Sequence, residues 1–358
     1  MNKEMDELRS SIDLIDNDIA KLLSKRAELS RQVGRIKHEN GIKTYSPERE
    51  REIIDRLETL IEPPLERGMI EAVFNTIFSV SRSLQARTRI AYLGPVGTYS
   101  HEAAVSVFPY DADLIPETSI DLIIEDVCAE RVDLGIVPVE NSTEGIINQT
   151  LDLMVSSRLF VVKEILLPIR HCLISKTDMG NIRKVYSHPQ PFAQCRLWLK
   201  KNLPDAKTID TASTSEAAQI AVNENNSAAI ASINSARIYG LDIVARNIND
   251  YHDNITRFWV ISKKMAEPLT NAKTSIIMAL DNTPGALYNA LGVFSSQGIN
   301  LTKIQSRPSR KGPWEYLFFI DFIGGLSEEK VARALENLKP FTKEIIILGS
   351  YPEERGDD

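Results

Sequence analysis

Apolar residues recur along the first 36 positions at steps of four and three: Leu8, Ile12, Ile15, Ile19 and Leu22, then Leu29, Val33 and Ile36. A heptad seam of this kind commits the segment to a long helix that buries one edge against other helices. The register slot between the two halves of the seam holds Arg26. Taking an ion out of water costs on the order of several kcal/mol, so this side chain must meet an anion or reach solvent. A lone seam arginine also serves as a register-setting residue, or snorkels along its stem.

Three features favour a polar pocket. Lys37 follows eleven residues later, about three turns along a nearby face. A further seam, Ile70, Phe74, Ile77 and Leu84, is interrupted by Ser81, and Gln85 lies one turn beyond it. Two interrupted seams suit a wet cavity inside a helix bundle. Arg9 lies roughly 25 Å from Arg26 along one helix, too far for both to hold one small ligand. If Arg9 serves a site, that site is built partly from a second copy, so an interlocked dimer is expected.

Texture divides the chain into three. Residues 1–88 read as helix, including a start at "SPERE" with Ser46 as cap and Pro47 in the first turn. "EPP" at 62–64 ends that helix. From Arg89 to about residue 265, short apolar runs enter polar or Gly/Pro loops and helical patterns follow, which predicts an α/β domain with mostly parallel sheet. Residues 273–352 run strand, helix, strand, strand, helix, strand, the ferredoxin-like α+β order. The expected fold is therefore multidomain: an all-α helical bundle, then α/β, then βαββαβ.

Composition excludes several classes. Residues 1–89 carry 16 Lys+Arg against 16 Asp+Glu, so the net charge of −7 arises downstream and no basic face suggests a nucleic-acid partner. No apolar run approaches the roughly 20 residues of a membrane span, and "MNKEMDELRSS" lacks the apolar stretch of a secretory signal. Cys128, Cys172 and Cys195 lie far apart and read as free thiols in a reducing cytoplasm. Five scattered histidines form no ligand motif, so neither a metal nor another cofactor is expected.

In the middle segment, "YLGPVGTYSHEAA", "IVPVENSTEGI", "VYSHPQPFAQC" and "IDTASTSEAAQIA" each read as a strand leaving through a polar loop into a helix. Such loops aim N–H groups and hydroxyls past strand ends, where α/β sheets bind ligands. Ser, Thr and Asn there also act as plain helix caps. "GPVGTYS" is neither a dinucleotide fingerprint nor a Walker loop. His188 reads as a base or as a structural loop residue.

Leu8-Arg9, "SKRAELSRQVGRIK", "EREREIIDRL" and the Ser81/Gln85 pair resemble the all-helical chorismate mutases. That resemblance implies that Arg9 of a second chain, Arg26 and Arg49 hold the substrate carboxylates. It gives Lys37 and Gln85 to the ether oxygen, Glu50 to the ring hydroxyl and Ser81 to the pocket wall. The family often has an acid near Ser46, which is absent here.

"GPVGTYS", "PVENS", "SHPQ" and Thr256-Arg257-Phe258, in that order, resemble prephenate dehydratase. This implies a two-lobed domain with the site between the lobes. Thr256 would act at the leaving hydroxyl, and Asn141, Ser187, Gln194, Thr98 and Ser213 would bind the substrate. Arg257 would pair with a carboxylate or be structural. "NTPGALYNALGVFSSQGINLTKIQSRPSRKGPWEYLFFIDF" resembles the phenylalanine-binding ACT domain of these enzymes. Gly285, Ala286, Leu287, Asn300, Leu301, Gln305, Ser306 and Arg307 would hold L-phenylalanine. Gln305 stands where the signature has glutamate, and its amide oxygen still accepts a hydrogen bond.

The resemblances together imply a bifunctional, cofactor-free enzyme that takes chorismate to prephenate and prephenate to phenylpyruvate. L-phenylalanine would be its effector and a homo-oligomer, at least a dimer, its assembly. A non-catalytic ligand-sensing regulator with a helical dimerisation arm is the rival. A fused dehydrogenase would need a dinucleotide fingerprint, and none is found.

Overall fold

The computed structural model describes residues 2–39, 46–84, 88–108, 112–251, 253–267, 269, 272–308 and 316–354. In chain order the elements are α1 (Asn2–Glu39), α2 (Pro47–Glu58), α3 (Arg67–Ser83), β1 (Thr88–Leu93), α4 (Tyr99–Val107), β2 (Ala112–Glu117), α5 (Ile120–Cys128), β3 (Leu134–Asn141), β4 (Gly145–Ile146), α6 (Asn148–Ser157) and β5 (Phe160–Pro168). There follow β6 (Cys172–Ser175), β7 (Lys184–Ser187), α7 (Pro189–Gln194), α8 (Arg196–Asn202), β8 (Lys207–Asp210), α9 (Thr214–Asn223), β9 (Ser227–Ala231), α10 (Ile233–Tyr239), β10 (Asp242–Ala245) and β11 (Ile255–Ser262). The last are β12 (Ala272–Ala279), α11 (Ala286–Ser296), β13 (Leu301–Pro308), β14 (Tyr316–Ile323), α12 (Glu329–Leu338) and β15 (Glu344–Pro352).

Two compact units result: residues 1–88 with 107–113, and 89–106 with 114–358. In the first, Ser46 caps α2 by accepting from the Arg49 N–H at 3.4 Å, and Pro47 opens the helix where its missing N–H costs nothing. The α1 seam finds too little partner surface in its own chain. Leu8, Ile12, Ile15, Ile19, Leu22, Leu29, Val33 and Ile36 are 45–66% exposed.

The second unit holds three sheets. One lobe has the order β2-β1-β3-β11-β5 with β4 paired to β3, and the other has β10-β6-β9-β7-β8. The expected mostly parallel sheet is corrected here. Strand β11 returns from the second lobe and inserts antiparallel between β3 and β5, while β6 runs antiparallel to both β9 and β10. The loop after β3 differs too. The Asn141 side-chain oxygen accepts from Thr143 N–H, the Thr143 hydroxyl and Glu144 N–H, which folds the chain back into the β3–β4 hairpin before α6 starts.

The C-terminal sheet has the ferredoxin-like order β13-β14-β12-β15. One face packs on α11 and α12 through Ile276, Met278, Ile320, Phe322, Phe294 and Val331. The other joins the core of the first lobe, where Ile277, Phe319 and Tyr351 pack with Val137, Val161 and Trp259. An apolar second face explains why the middle and C-terminal segments form one compact unit. Among the described residues no helix is long and apolar enough to cross a membrane.

Candidate active sites

In the helical unit, Arg26, Lys37, Ser46, Arg49, Glu50 and Ser81 line one open cavity of about 260 Å³, with Leu29, Val33, Ile53 and Phe78 as its apolar wall. The α1 seam brings Arg26 to α3, where it donates to the Ser81 hydroxyl and lies 5.6 Å from the Phe78 ring centroid. Ser81 donates in turn to the Ile77 carbonyl at 2.7 Å, so its oxygen is oriented to accept. Burial pushes the Arg26 and Lys37 pKa values down, and the Glu50 carboxylate opposes this in both cases. Burial disfavours the charged forms of both side chains, and an anionic guest would favour them. Arg49 points its charge to Glu52 at 2.8 Å. Arg9 is exposed near Asp6 at 3.7 Å, and Gln85 lies outside the described residues.

Two residues here went unread in the sequence. Arg82, 4% exposed, pairs with Glu50 and stacks 5.5 Å from the Phe108 centroid. Glu48 is buried beside the cavity-lining Ser46, whose hydroxyl donates to it at 2.9 Å, so a carboxylate does stand close to that position. Neither has a periodic signal; the partner of Arg82 is chosen by the fold, whereas that of Glu48 is local.

In the second unit, the expected residues Asn141, Thr256 and Gln194 meet. Asn141 and Thr256 are cross-strand partners on β3 and β11. The Asn141 amide nitrogen donates to the Thr256 hydroxyl at 2.8 Å and to Asn254 Oδ1 at 2.7 Å. Asn254 donates to Gln194 Oε1 at 2.9 Å, and the Gln194 nitrogen reaches Thr143 Oγ1 at 3.2 Å and Glu144 Oε1 at 3.3 Å. Gln194 ends α7 of the second lobe, so this amide chain crosses the cleft. His171 Nε2 also lies 2.7 Å from Gln194 Oε1, and His171 Nδ1 lies 2.7 Å from the Tyr99 hydroxyl.

Asn254, His171 and Tyr99 are additions to the expected set. Asn254 immediately precedes β11, two residues before Thr256, a spacing that the period of two extends to the same side. Thr256 accepts from Asn141, which leaves its own O–H hydrogen available to a ligand.

The hydroxyls of Thr98 and Ser213 serve their own loops, and that of Ser187 reaches the neighbouring strand β9. Thr98 donates to the Leu93 carbonyl at 3.0 Å, Ser187 to the Ile230 carbonyl at 2.9 Å, and Ser213 caps α9. His188 caps α7 through Nδ1, the structural alternative. Of the two alternatives for Arg257, the structure favours the structural one over the ligand contact. It points to the sheet face opposite Thr256, where Glu164 Oε2 at 2.9 Å, Asp321 Oδ2 at 2.5 Å and the Tyr351 hydroxyl at 2.9 Å hold it.

In the C-terminal sheet, Gly285 adopts φ +83° ahead of α11, which begins with Ala286 and Leu287. Asn300 is exposed and Leu301 opens β13 beside it; Gln305 and exposed Ser306 occupy the far end of β13. Arg307 is turned away from the exposed face. Its guanidinium grips Asp152 at 2.5 and 3.1 Å and also Asn148 of α6, so it is committed to the first lobe.

A cationic cavity among helices, a hydroxyl–amide cluster between two lobes and an appended βαββαβ unit define the class, a multidomain enzyme with two candidate sites. Family models match in the same order: chorismate mutase type II over residues 8–86, prephenate dehydratase over 90–266 and the ACT domain over 274–340. The bifunctional chorismate mutase/prephenate dehydratase of Aquifex aeolicus (strain VF5) is 43% identical over 356 residues, covering 98% of each chain. Its counterpart in Stutzerimonas stutzeri is 38% identical, again over 98% of each. The crystal structure of prephenate dehydratase from Arthrobacter aurescens in complex with L-Phe superposes with a TM-score of 0.69 at 34% identity, covering 74% of this chain and 90% of that one. The chain belongs to the bifunctional chorismate mutase/prephenate dehydratase family.

Proposed function

We propose that the helical unit rearranges chorismate to prephenate and that the two-lobed part converts prephenate to phenylpyruvate. The observation that carries the reading is the shared cavity: Arg26, Lys37, Arg49, Glu50 and Ser81, from three helices, line one space. A Claisen rearrangement asks for a held conformer and fixed positive charge where the ether oxygen becomes negative, and needs no nucleophile or proton relay. Arg26 and Arg49 would hold carboxylates, Lys37 and Gln85 the ether oxygen, and Glu50, fixed by Arg82, the ring hydroxyl.

Dehydration breaks the ring C–OH bond as a proton reaches the leaving hydroxyl. The ring–carboxylate bond breaks with it, carbon dioxide leaves, and the freed electron pair completes the aromatic ring. Thr256 would hydrogen-bond the leaving hydroxyl, with Asn141 and Gln194 orienting the substrate. The exposed α1 seam and the distant Arg9 support a second copy laid along α1, donating its Arg9 to the neighbouring cavity. L-phenylalanine would bind at Gly285–Leu287 and the far end of β13 as effector. Three free cysteines, two of them buried, suit a cytoplasmic setting. The sensor-only reading leaves the cationic cavity without a purpose.

The test feeds chorismate to the purified chain and follows phenylpyruvate. Lys37→Ala should stall at chorismate and still convert supplied prephenate. Thr256→Ala should accumulate prephenate. Loss of the same step in both variants would overturn the division of labour.

A further inference from the structure

The pair that follows Thr256 and Asn141 along the ladder is Arg257 opposite Glu140, and strand alternation turns these two side chains to the reverse face of the sheet. In the C-terminal sheet, Lys303 on β13 and Asp321 on β14 are likewise cross-strand partners. The two pairs dock with matched charges: Arg257 Nη1 lies 2.5 Å from Asp321 Oδ2, and Lys303 Nζ lies 2.5 Å from Glu140 Oε2. Three of the four are well shielded, with side-chain exposures of 10% for Arg257, 5% for Asp321 and 15% for Lys303. Glu164 and Tyr351 grip Arg257 further, and Lys273 reaches Glu164 at 2.6 Å. Ser275 joins Asp321 at 2.5 Å to Tyr351 at 2.6 Å.

The β3–β11 ladder shifts register immediately beyond this pair, since Phe258 faces Pro138. A bulge there locally disrupts the β3–β11 ladder. On its other side β11 stays in register with β5, with Thr256 opposite Leu167 and Arg257 opposite Leu166, and β4 pairs with Glu140 and Asn141. The docked charges add a tie from the C-terminal sheet to this end of the ladder. Independently, Gly349 of β15 lies so close to β5 that a Cβ would sit 2.1 Å from the Val161 carbonyl oxygen, so the two sheets meet backbone to backbone.

We infer that Arg257, Glu140, Lys303 and Asp321 form a positioning quartet that transmits the state of the C-terminal sheet to Thr256 and Asn141. These are positioning residues, acting through the strand ends. An effector bound on the C-terminal sheet changes dehydration by shifting the pair 303/321 against the pair 257/140. The inference rests on the assignment of the Thr256–Asn141 cluster as the dehydratase site.

The experiment uses the full chain and neutral changes: Lys303→Met, Glu140→Gln and the double variant. Each single change should lower the dehydratase kcat roughly tenfold while KM stays within about twofold, the size of a broken coupled pair. L-phenylalanine should still bind by calorimetry but inhibit less. The double variant should lose no more than either single change, because the pair is already broken, and mutase activity, whose cavity contains none of the four, should hold throughout. Wild-type kcat and inhibition in the single variants, or losses that add in the double variant, overturn the quartet. Thr256→Ala in the same series separates the two levels. If it dehydrates normally, the site assignment fails and the inference with it; if it is inactive while the quartet variants behave as wild type, only the inference fails.

Discussion

Acidification should weaken the second unit through one ring. His171 is 1% exposed, and its two nitrogens each have a partner at 2.7 Å. Gln194 Oε1 accepts from Asn254 as well, so it is the amide oxygen and His171 Nε2 must carry the hydrogen. In the neutral ring Nδ1 is then the acceptor for the Tyr99 O–H, which also lies 3.2 Å from the Arg170 carbonyl, and burial is what favours that neutral ring. Burial lowers the His171 pKa to about 4, with the Gln194 bond opposing it. An unfolded histidine titrates near 6.5. Between these values the unfolded chain binds the extra proton, so stability is complete above about pH 6.5 and falls as pH falls, by at most about 1.4 kcal/mol per unit. From pH 7 to 5 the loss integrates to about 2 kcal/mol. Trp198, Trp259 and Trp314 all follow residue 88, so tryptophan fluorescence in urea reports this part of the chain alone. His171→Gln keeps a donor for Gln194 and cannot titrate. The variant will be less stable at pH 7, but its gap to wild type should shrink by about 2 kcal/mol at pH 5. His101, whose pKa burial lowers, and Glu102, whose pKa burial raises, titrate in both proteins and cancel in the difference. An equal gap at both pH values refutes the neutral-ring argument.

Arg82→Leu strips the ion pair from Glu50 and should cost on the order of 3 kcal/mol in a melt followed by circular dichroism, with a lower mutase kcat; an unchanged kcat would remove Glu50 from the site. Gly349→Ala forces a methyl into the Val161 carbonyl and should destabilise by about 1–3 kcal/mol or more, read as a lower Tm. Leu22→Glu charges the exposed α1 seam, so sedimentation should show a smaller species, and mutase activity should fall with it because Arg9 of a second copy is lost. Retained assembly would mean that another surface joins the copies.

What the sequence disclosed follows the range of each interaction. The α1 seam, the Ser46–Pro47 helix start and the βαββαβ order are local patterns, and all reappear in place. The interrupted seams pointed to Arg26 and Ser81, which do meet, because heptad register carries a residue's facing along the helix. Arg82 was silent because its partner Glu50 is 32 residues away on another helix. The antiparallel entry of β11 between β3 and β5 was equally hidden, since strand neighbours are chosen by the returning chain. Arg257 is the instructive case. Alternation in a strand forbids Thr256 and Arg257 from sharing a face, so a local rule already sent that guanidinium away from the cleft. What no local rule supplied was its destination, two carboxylates of which one, Asp321, lies 64 residues later in the C-terminal sheet. Arg257, on the strand that carries Thr256, is gripped from behind by the C-terminal sheet, so any shift of that sheet bears on the strand end where the dehydratase site is proposed.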